Sequence, residues 1–533
     1  MKILKELFSK KFLKQGLGQS PKVSPNQKES KEVSSVRLIL DGPINVYYVQ
    51  TLCMIFFPGA KFGAAEQNDP EAPEVRVSLT EVDGGMEARA TVTAQGESRS
   101  AFRHEDFSIW DTKEKTAKKA CGAAVITACG ELLGYRPSWG MLTGVRPSKV
   151  ATELLQAGVS KTRVKKILSS DYFVIPKKAA LAVDVALNEQ KIIGFPGKRD
   201  CSLYISIPFC PTRCSYCSFV SYTSQKLLSL IPDYLEHLVR DVEAMLLKIR
   251  ELGLNLKTVY IGGGTPSILD ADQLRRLLSA VAENTDVTKL EEYTLESGRA
   301  DTITAEKFAV AKEYGVNRVC VNPQSLCDDV LREIGRSHTA EDFFRAFDIA
   351  RESGIPYINT DLIVGLPGDS FRTFSKTFDA IAALRPENIT VHTFCVKKAA
   401  EILRQDADVY SLRGGDAGKC VDYTQLRAQQ EGYNPYYMYR QKNTVGNYEN
   451  VGFALEGAEC RYNIYMMEEV HSIFAAGAGA VSKLVDYRPS RGGKPVIERL
   501  FYPKYPYEYL RDTSTPSKTA QMESFYREHD LLG

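Results

Sequence analysis

The sequence predicts an α/β chain: a partial (β/α)6 barrel core with an N-terminal α+β domain and a C-terminal extension. Three observations carry that prediction. Between residues 200 and 400, short β-branched runs alternate with long amphipathic stretches, the pattern of strands joined by helical crossovers. The runs are apolar almost throughout, as parallel strands buried on both faces must be. Glycines and polar side chains gather at the ends of those runs, where such barrels carry their chemistry.

At 533 residues the chain exceeds the size at which one core keeps growing, so several domains are expected. We divide it into 1–35, 36–195, 196–400 and 401–533. The first segment opens with "MKILKELFSKKFLKQ", basic and weakly amphipathic through Ile3, Leu4, Leu7, Phe8 and Phe12. It has no continuous apolar stretch or small-residue cleavage site, so it reads as a short docked helix rather than a signal peptide, with membrane-surface contact the alternative. Residues 15–35 are mostly polar with Pro, Gly and Ser, the composition of a flexible linker.

In 36–195, "VRLIL", "VRVSLTEV" and "MEARATVTA" read as strands and "TKEKTAKKACGAAVITACGELLGY" as a helix. "SWGMLTGVRPSK", residues 138–149, reads as a turn with an exposed Arg–Pro–Ser–Lys end. Helices are expected near 158–168 and 177–192, and "GFPGKRD" marks a boundary. The core strands are "LYISIP", "TVYIGGG", "EYTLES", "RVCVNP", "YINTDLIVGLP" and "NITVHTF". The last region holds the tyrosine-rich "GYNPYYMYRQKNTVGNYENVGFA".

A net charge of +2 gives no reason to expect nucleic acid, and no apolar run approaches the ~18 residues that span a bilayer. Twelve cysteines in a chain with no signal peptide imply a reducing compartment, hence the cytoplasm. Three stand apart. "IPFCPTRCSYCSF" places Cys210, Cys214 and Cys217 at C-x3-C-x2-C spacing. Three thiolates can each take one iron of a cubane and leave the fourth iron open. Zinc would need a further ligand. Cys201 lies before the strand and the next histidine downstream is His237, which favours the cluster.

That spacing, with Tyr216 just before the third cysteine, resembles the radical S-adenosylmethionine superfamily. The resemblance implies a 4Fe–4S cluster whose open iron is chelated by S-adenosyl-L-methionine, reductive cleavage of which supplies a 5′-deoxyadenosyl radical. It narrows to the oxygen-independent coproporphyrinogen III dehydrogenase (oxidase) family, in the longer branch with an extra N-terminal domain. "YISIPFC" carries Tyr204, "YIGGGTPS" carries Gly263, Gly264 and Thr265, "TLESGR" Glu296, "VNPQSL" Gln324, "EIGRSH" Arg336 and "NTDLIVGLPGD" Asp361. By similarity, the glycine turn, Glu296 and Arg336 hold the methionine moiety, and Gln324 and Asp361 the ribose hydroxyls. Cys395 and Val481 lie near the adenine.

The implied activity is oxidative decarboxylation of coproporphyrinogen III to protoporphyrinogen IX in haem biosynthesis. It requires a tetrapyrrole substrate and a reducing donor such as flavodoxin or ferredoxin, with no stable membrane insertion. Alternatives are a haem-binding chaperone of the same family, or a radical enzyme acting on another tetrapyrrole or a nucleic acid. The His-Asn-x-x-Tyr-Trp motif of those chaperones is absent; the two tryptophans, Trp110 and Trp139, follow no such motif. Ser206 stands where well-studied dehydrogenases read histidine. Arg440, Lys442 and Asn443 read equally as ligands for substrate propionates or as a solvated basic turn, and Tyr436, Tyr437 and Tyr439 as stacking partners for a tetrapyrrole or as core packing.

Overall fold

A computed structural model describes residues 35–62, 71–108, 111–217, 219–395, 415–441, 444–488 and 495–532. The amphipathic N-terminus, Trp110, Lys442 and Asn443 lie outside the described residues.

The N-terminal unit is built on a four-stranded sheet in the order β1 (Arg37–Asp41), β2 (Glu74–Val82), β3 (Gly85–Ala94), β4 (Glu97–Asp106). β1 runs parallel to β2, and β2, β3 and β4 form an antiparallel meander. Two-residue turns join the meander. Gln95 and Gly96 both take positive φ (53° and 78°), the hairpin geometry that follows strand twist. The helix Lys113–Leu133 starts on Thr112, whose side chain accepts from the Lys115 N–H, and stops at left-handed Gly134. It packs against β3 and β4, burying small residues such as Ala120, Ala124 and Ala128.

Three helices follow: Ser148–Gln156, Lys161–Ser170 and Pro176–Ile193. The last two match the two expected. The first begins inside the predicted turn, because Pro147 has the fixed φ that suits a helix start. The predicted exposure of that segment is also corrected. Ser148 is buried, and Arg146 Nη1 donates to Met467 O at 2.6 Å.

The second sheet has eleven strands, ordered β11-β12-β10-β9-β8-β7-β6-β5-β13-β14-β15. Its middle is β5 (Asp200–Ile207), β6 (Asn255–Gly263), β7 (Glu292–Glu296), β8 (Arg318–Cys320), β9 (Tyr357–Val364) and β10 (Asn388–Thr393). Each is parallel to the next within this set of six. They are the six expected core strands, so the partial (β/α)6 barrel is the observed fold. The crossovers include the helices Ile231–Glu251, Ala271–Asn284, Ala340–Glu352 and Phe371–Ala383. The last three open on capping boxes at Asp270, Thr339 and Ser370, which satisfy first-turn N–H groups and fix where each crossover starts.

Later residues extend this sheet on both flanks. β12 (Asn450–Ala454) runs antiparallel to β10, and β11 (Asn434–Tyr439) antiparallel to β12. β13 (Ser472–Ala476) lies parallel beside β5, followed by antiparallel β14 (Val481–Asp486) and β15 (Val496–Phe501). The helix Arg461–Glu468 brings Tyr462 against Tyr260 (ring centroids 4.5 Å) and Tyr204 (6.3 Å). Among the described residues no helix is long and apolar enough to cross a membrane.

The N-terminal unit docks on the β11–β12 flank. Trp139 Nε1 donates to Glu449 Oε2 at 2.7 Å and Lys178 Nζ to Glu449 Oε1 at 2.5 Å; the Lys178 and Glu449 side chains are wholly buried. Arg440 N donates to Val145 O at 2.7 Å, and its guanidinium to Leu142 O and Asn447. Trp139, Leu142 and Val145 on one side and Arg440 and Glu449 on the other are therefore the two halves of one interface.

Candidate active site at the strand ends

β5 delivers the cysteines. Beyond Ile207 the chain turns through Pro208 and Phe209 into a loop closed by Cys210 N to Tyr222 O and Tyr222 N to Pro208 O (3.1 and 2.9 Å). Ser215 N donates to Ile334 O and Cys217 N to Cys214 O, both at 3.1 Å. Cys210 and Cys214 are buried and Cys217 half-buried. Burial raises the pKa of Cys210 and Cys217, and the neighbouring thiols add to the rise. Such thiols ionise readily only beside positive charge. Among the described residues no three His, Cys, Asp or Glu side chains converge as a single ion requires; a cubane spreads its thiolates over separate irons.

Directly beneath lies the end of β6. Gly264 N donates to Ile207 O (2.7 Å) and Thr265 N to Phe209 O (2.8 Å). Thr265 Oγ1 is 3.3 Å from Cys210 Sγ. A Cβ on Gly264 would fall 2.5 Å from Phe209 O and 3.0 Å from Cys210 Sγ. Gly263 takes φ +113° against Ile207 and Ser206, a conformation natural to glycine. The turn is thus moulded to the cysteine loop.

The next strand ends supply the polar ring. Glu296 closes β7. Desolvation in the lumen pushes its pKa up to about 8, Asp361 adds to the rise, and the Gly263 N–H opposes it. Arg336 is buried; it donates to Gly298 O at 2.9 Å, Asn322 O at 3.2 Å and the Tyr216 hydroxyl at 2.9 Å. That last bond ties it to the cysteine loop. Gln324 is buried with φ +67° and pairs through its backbone with Asp361 O and Ile363 N. Asp361 Oδ2 accepts from Asn322 Nδ2 at 2.9 Å.

Several buried polar atoms here lack hydrogen-bond partners: Gln324 Oε1, Arg336 Nε and Ser297 Oγ. Orphaned polar atoms are costly unless a ligand satisfies them. Carboxylate, guanidinium, amide and moulded glycine turn together suit a ligand with an amino group, a carboxylate and a diol. The donor set and its cradle therefore fit a cluster with its cosubstrate.

Tyr204 lies within β5, its ring stacked on Tyr260 (6.2 Å), and Glu296 raises its pKa after burial, which puts it in the same lumen. Cys395 follows β10 in a bridge with Thr444, and Val481 begins β14. Both are at the strand-end face but on opposite flanks of the sheet. Ser206 is buried and donates to Ala478 O at 2.9 Å. A Cβ on Gly263 would fall 3.1 Å from its Oγ and one on Gly477 3.0 Å from its Cβ, so both glycines pack closely beside it. Arg440 is buried in the docking interface, and Tyr436 and Tyr437 are also buried.

Sequence reasoning passed over Arg299, which is buried and donates toward Cys214 Sγ (3.8 Å) and to Thr212 Oγ1 (2.8 Å), braced by Asp301 and Ser337. Its position three residues after Glu296, at a strand end, was the available signal. His392, at the end of β10, was also missed. Its Nδ1 is 3.2 Å from the Tyr439 hydroxyl and its Nε2 3.7 Å from Asp361 Oδ2.

Residues 204–381 match the radical SAM superfamily, whose members use a 4Fe–4S cluster and S-adenosylmethionine and need a reductant. The chain is 36% identical over 408 residues to the oxygen-independent coproporphyrinogen-III oxidase-like protein HemZ of Bacillus subtilis (strain 168), covering 74% of this chain and 81% of that one. It is 30% identical over 328 residues to the heme chaperone HemW of the same organism, covering 60% and 81%. Among solved structures, coproporphyrinogen III oxidase (HemN) from Escherichia coli aligns at 20% identity and TM-score 0.44, over 64% of this chain and 81% of that one. With its cysteine loop, glycine turn and strand-end ring, the chain belongs to the radical S-adenosylmethionine superfamily, in the oxygen-independent coproporphyrinogen III oxidase-like family.

Proposed function

We propose that this chain oxidatively decarboxylates coproporphyrinogen III to protoporphyrinogen IX. Each of two propionates loses a β-hydrogen atom and carbon dioxide, and passes one electron to an external one-electron acceptor, leaving a vinyl group. When bound, the cluster and its cosubstrate supply the 5′-deoxyadenosyl radical that takes such a hydrogen.

The chain's own residues hold and shelter that chemistry. Cys210, Cys214 and Cys217 ligate three irons. Gly263, Gly264 and Thr265 lay backbone against the cosubstrate, and Glu296 accepts from its ammonium. Arg336, steadied by Tyr216, pairs with its carboxylate. Gln324 and Asp361 take the ribose, while Cys395 and Val481 border the adenine. Tyr204, Tyr260 and Tyr462 fill the lumen behind Glu296 with stacked rings, which excludes water from a radical site. The reading rests on one observation: the glycine turn moulded to Cys210 faces a ring of unpartnered buried polar atoms. The similarity to the oxidase-like HemZ supports the tetrapyrrole substrate.

The similarity to heme chaperones favours a second reading, haem binding without turnover. Anaerobic incubation of reconstituted, reduced protein with S-adenosylmethionine and coproporphyrinogen III separates the two. Deoxyadenosine with stepwise loss of two carboxyl groups is the expected result. Deoxyadenosine without decarboxylation overturns the substrate, and neither product from an intact cluster favours the chaperone.

A further inference from the structure

The strand-end ring contains a donor that the cosubstrate reading has not used. Asp361 Oδ2 already accepts from Asn322 Nδ2, and Asn322 Oδ1 accepts from Asp361 N at 3.1 Å, so the carboxylate is clamped. Ionised, it only accepts hydrogen bonds. Gln324 Oε1, unpartnered and buried, is likewise an acceptor. Each hydroxyl of a cis-diol both donates and accepts, so beside the Gln324 amide N–H, which can serve one of them, the other still has room for a donor.

His392 supplies the complement. It stands on β10 beside β9, with its side chain 27% exposed and hence open to a ligand. Its Nδ1 lies 3.2 Å from the Tyr439 hydroxyl. The Asp361 carboxylate facing Nε2 favours the imidazole hydrogen on that nitrogen, which leaves Nδ1 to accept from the Tyr439 hydroxyl. Nε2 and Asp361 Oδ2 face each other across 3.7 Å. That separation is too long for a direct hydrogen bond. It leaves a donor and an acceptor side by side, the pair that neighbouring hydroxyls of a cis-diol engage: one accepts from Nε2–H while the other donates to Oδ2.

We propose that His392, its tautomer set by Asp361 and Tyr439, is a further ribose-binding residue that donates to one hydroxyl of the cosubstrate's cis-diol. The inference rests on the assignment of Asp361 to that ribose.

The test is equilibrium binding of S-adenosylhomocysteine and its 2′-deoxy and 3′-deoxy analogues to reconstituted protein. Wild type is compared with His392→Phe, His392→Gln, Tyr439→Phe and Asp361→Asn, each checked for iron content and circular dichroism. His392→Phe is expected to weaken the parent ligand about tenfold, the size of one lost hydrogen bond. It should leave one of the two deoxy analogues little affected, since that analogue lacks the hydroxyl concerned. His392→Gln, which restores an N–H donor, should recover part of the loss, and Tyr439→Phe should lose part of it. Equal weakening of all three ligands, or none, overturns the role of His392. If Asp361→Asn also leaves every affinity unchanged, the ribose assignment itself fails.

Discussion

Arg299 aims an N–H toward a cysteine sulfur, and hydrogen bonds to cluster sulfurs raise the reduction potential by stabilising the more negative state. Arg299→Leu should therefore lower the cluster potential, on the order of tens of millivolts, with Arg299→Lys intermediate; redox titration followed by electron paramagnetic resonance reads this. Glu296 makes a pH prediction. Its folded pKa of about 8 stands above the ordinary 4.5, so the folded protein keeps a proton that the unfolded chain releases between those values. Stability of the ligand-free protein should fall as pH rises through that window, with the full penalty above about pH 8 and none below about 4.5. Glu296→Gln should remove this slope, a difference of one to a few kcal/mol above pH 8 in denaturant titrations. A cationic ammonium favours the ionised form, so cosubstrate affinity should rise with pH over the same range. The cysteines were legible because their spacing is itself chemical information. His392 was not, because its role comes from Asp361 on neighbouring β9 and Tyr439 on β11, one strand beyond β12 on the other side, residues far apart in the chain.

At the scale of elements, the loop after β5 and the turn after β6 form one unit held by main-chain bonds. Gly264→Ala should push the turn off Phe209 and Cys210, costing about 1–3 kcal/mol as other overpacked sites do. Iron content after anaerobic reconstitution should drop, and a full complement of iron would show that the close approach is dispensable. The six core strands were legible from apolar runs and their spacing, since buried parallel strands carry an unmistakable composition. β11 to β15 were harder to read. Their place depends on pairing with β10 and β5, residues far off in the chain, and tyrosine-rich segments are equally at home in a loop or a sheet. The helix at Ser148 was overlooked for a local reason, because Gly144 and Pro147 together read as a turn.

The whole molecule is joined by the Glu449 cluster. Burial pushes the Glu449 carboxyl up, but the Lys178 ammonium and the Trp139 N–H bring it below its ordinary value. Glu449→Gln leaves the buried Lys178 charge with only Asp422, 3.7 Å away, as counter-charge, which should cost about 3 kcal/mol, whereas Trp139→Phe removes one hydrogen bond to a charged group, about 1.5–3 kcal/mol. Limited proteolysis between residues 194 and 200 should accelerate in the first variant. This junction also places a natural optical reporter. The chain has two tryptophans, and Trp139 has its indole pinned between Glu449 and the Arg440 guanidinium, 6.0 Å from its ring. A Trp110→Phe protein would carry a single emitter at the seam. A red shift in its emission would then record separation of the N-terminal unit from the barrel as water reaches the indole, without any label and during turnover.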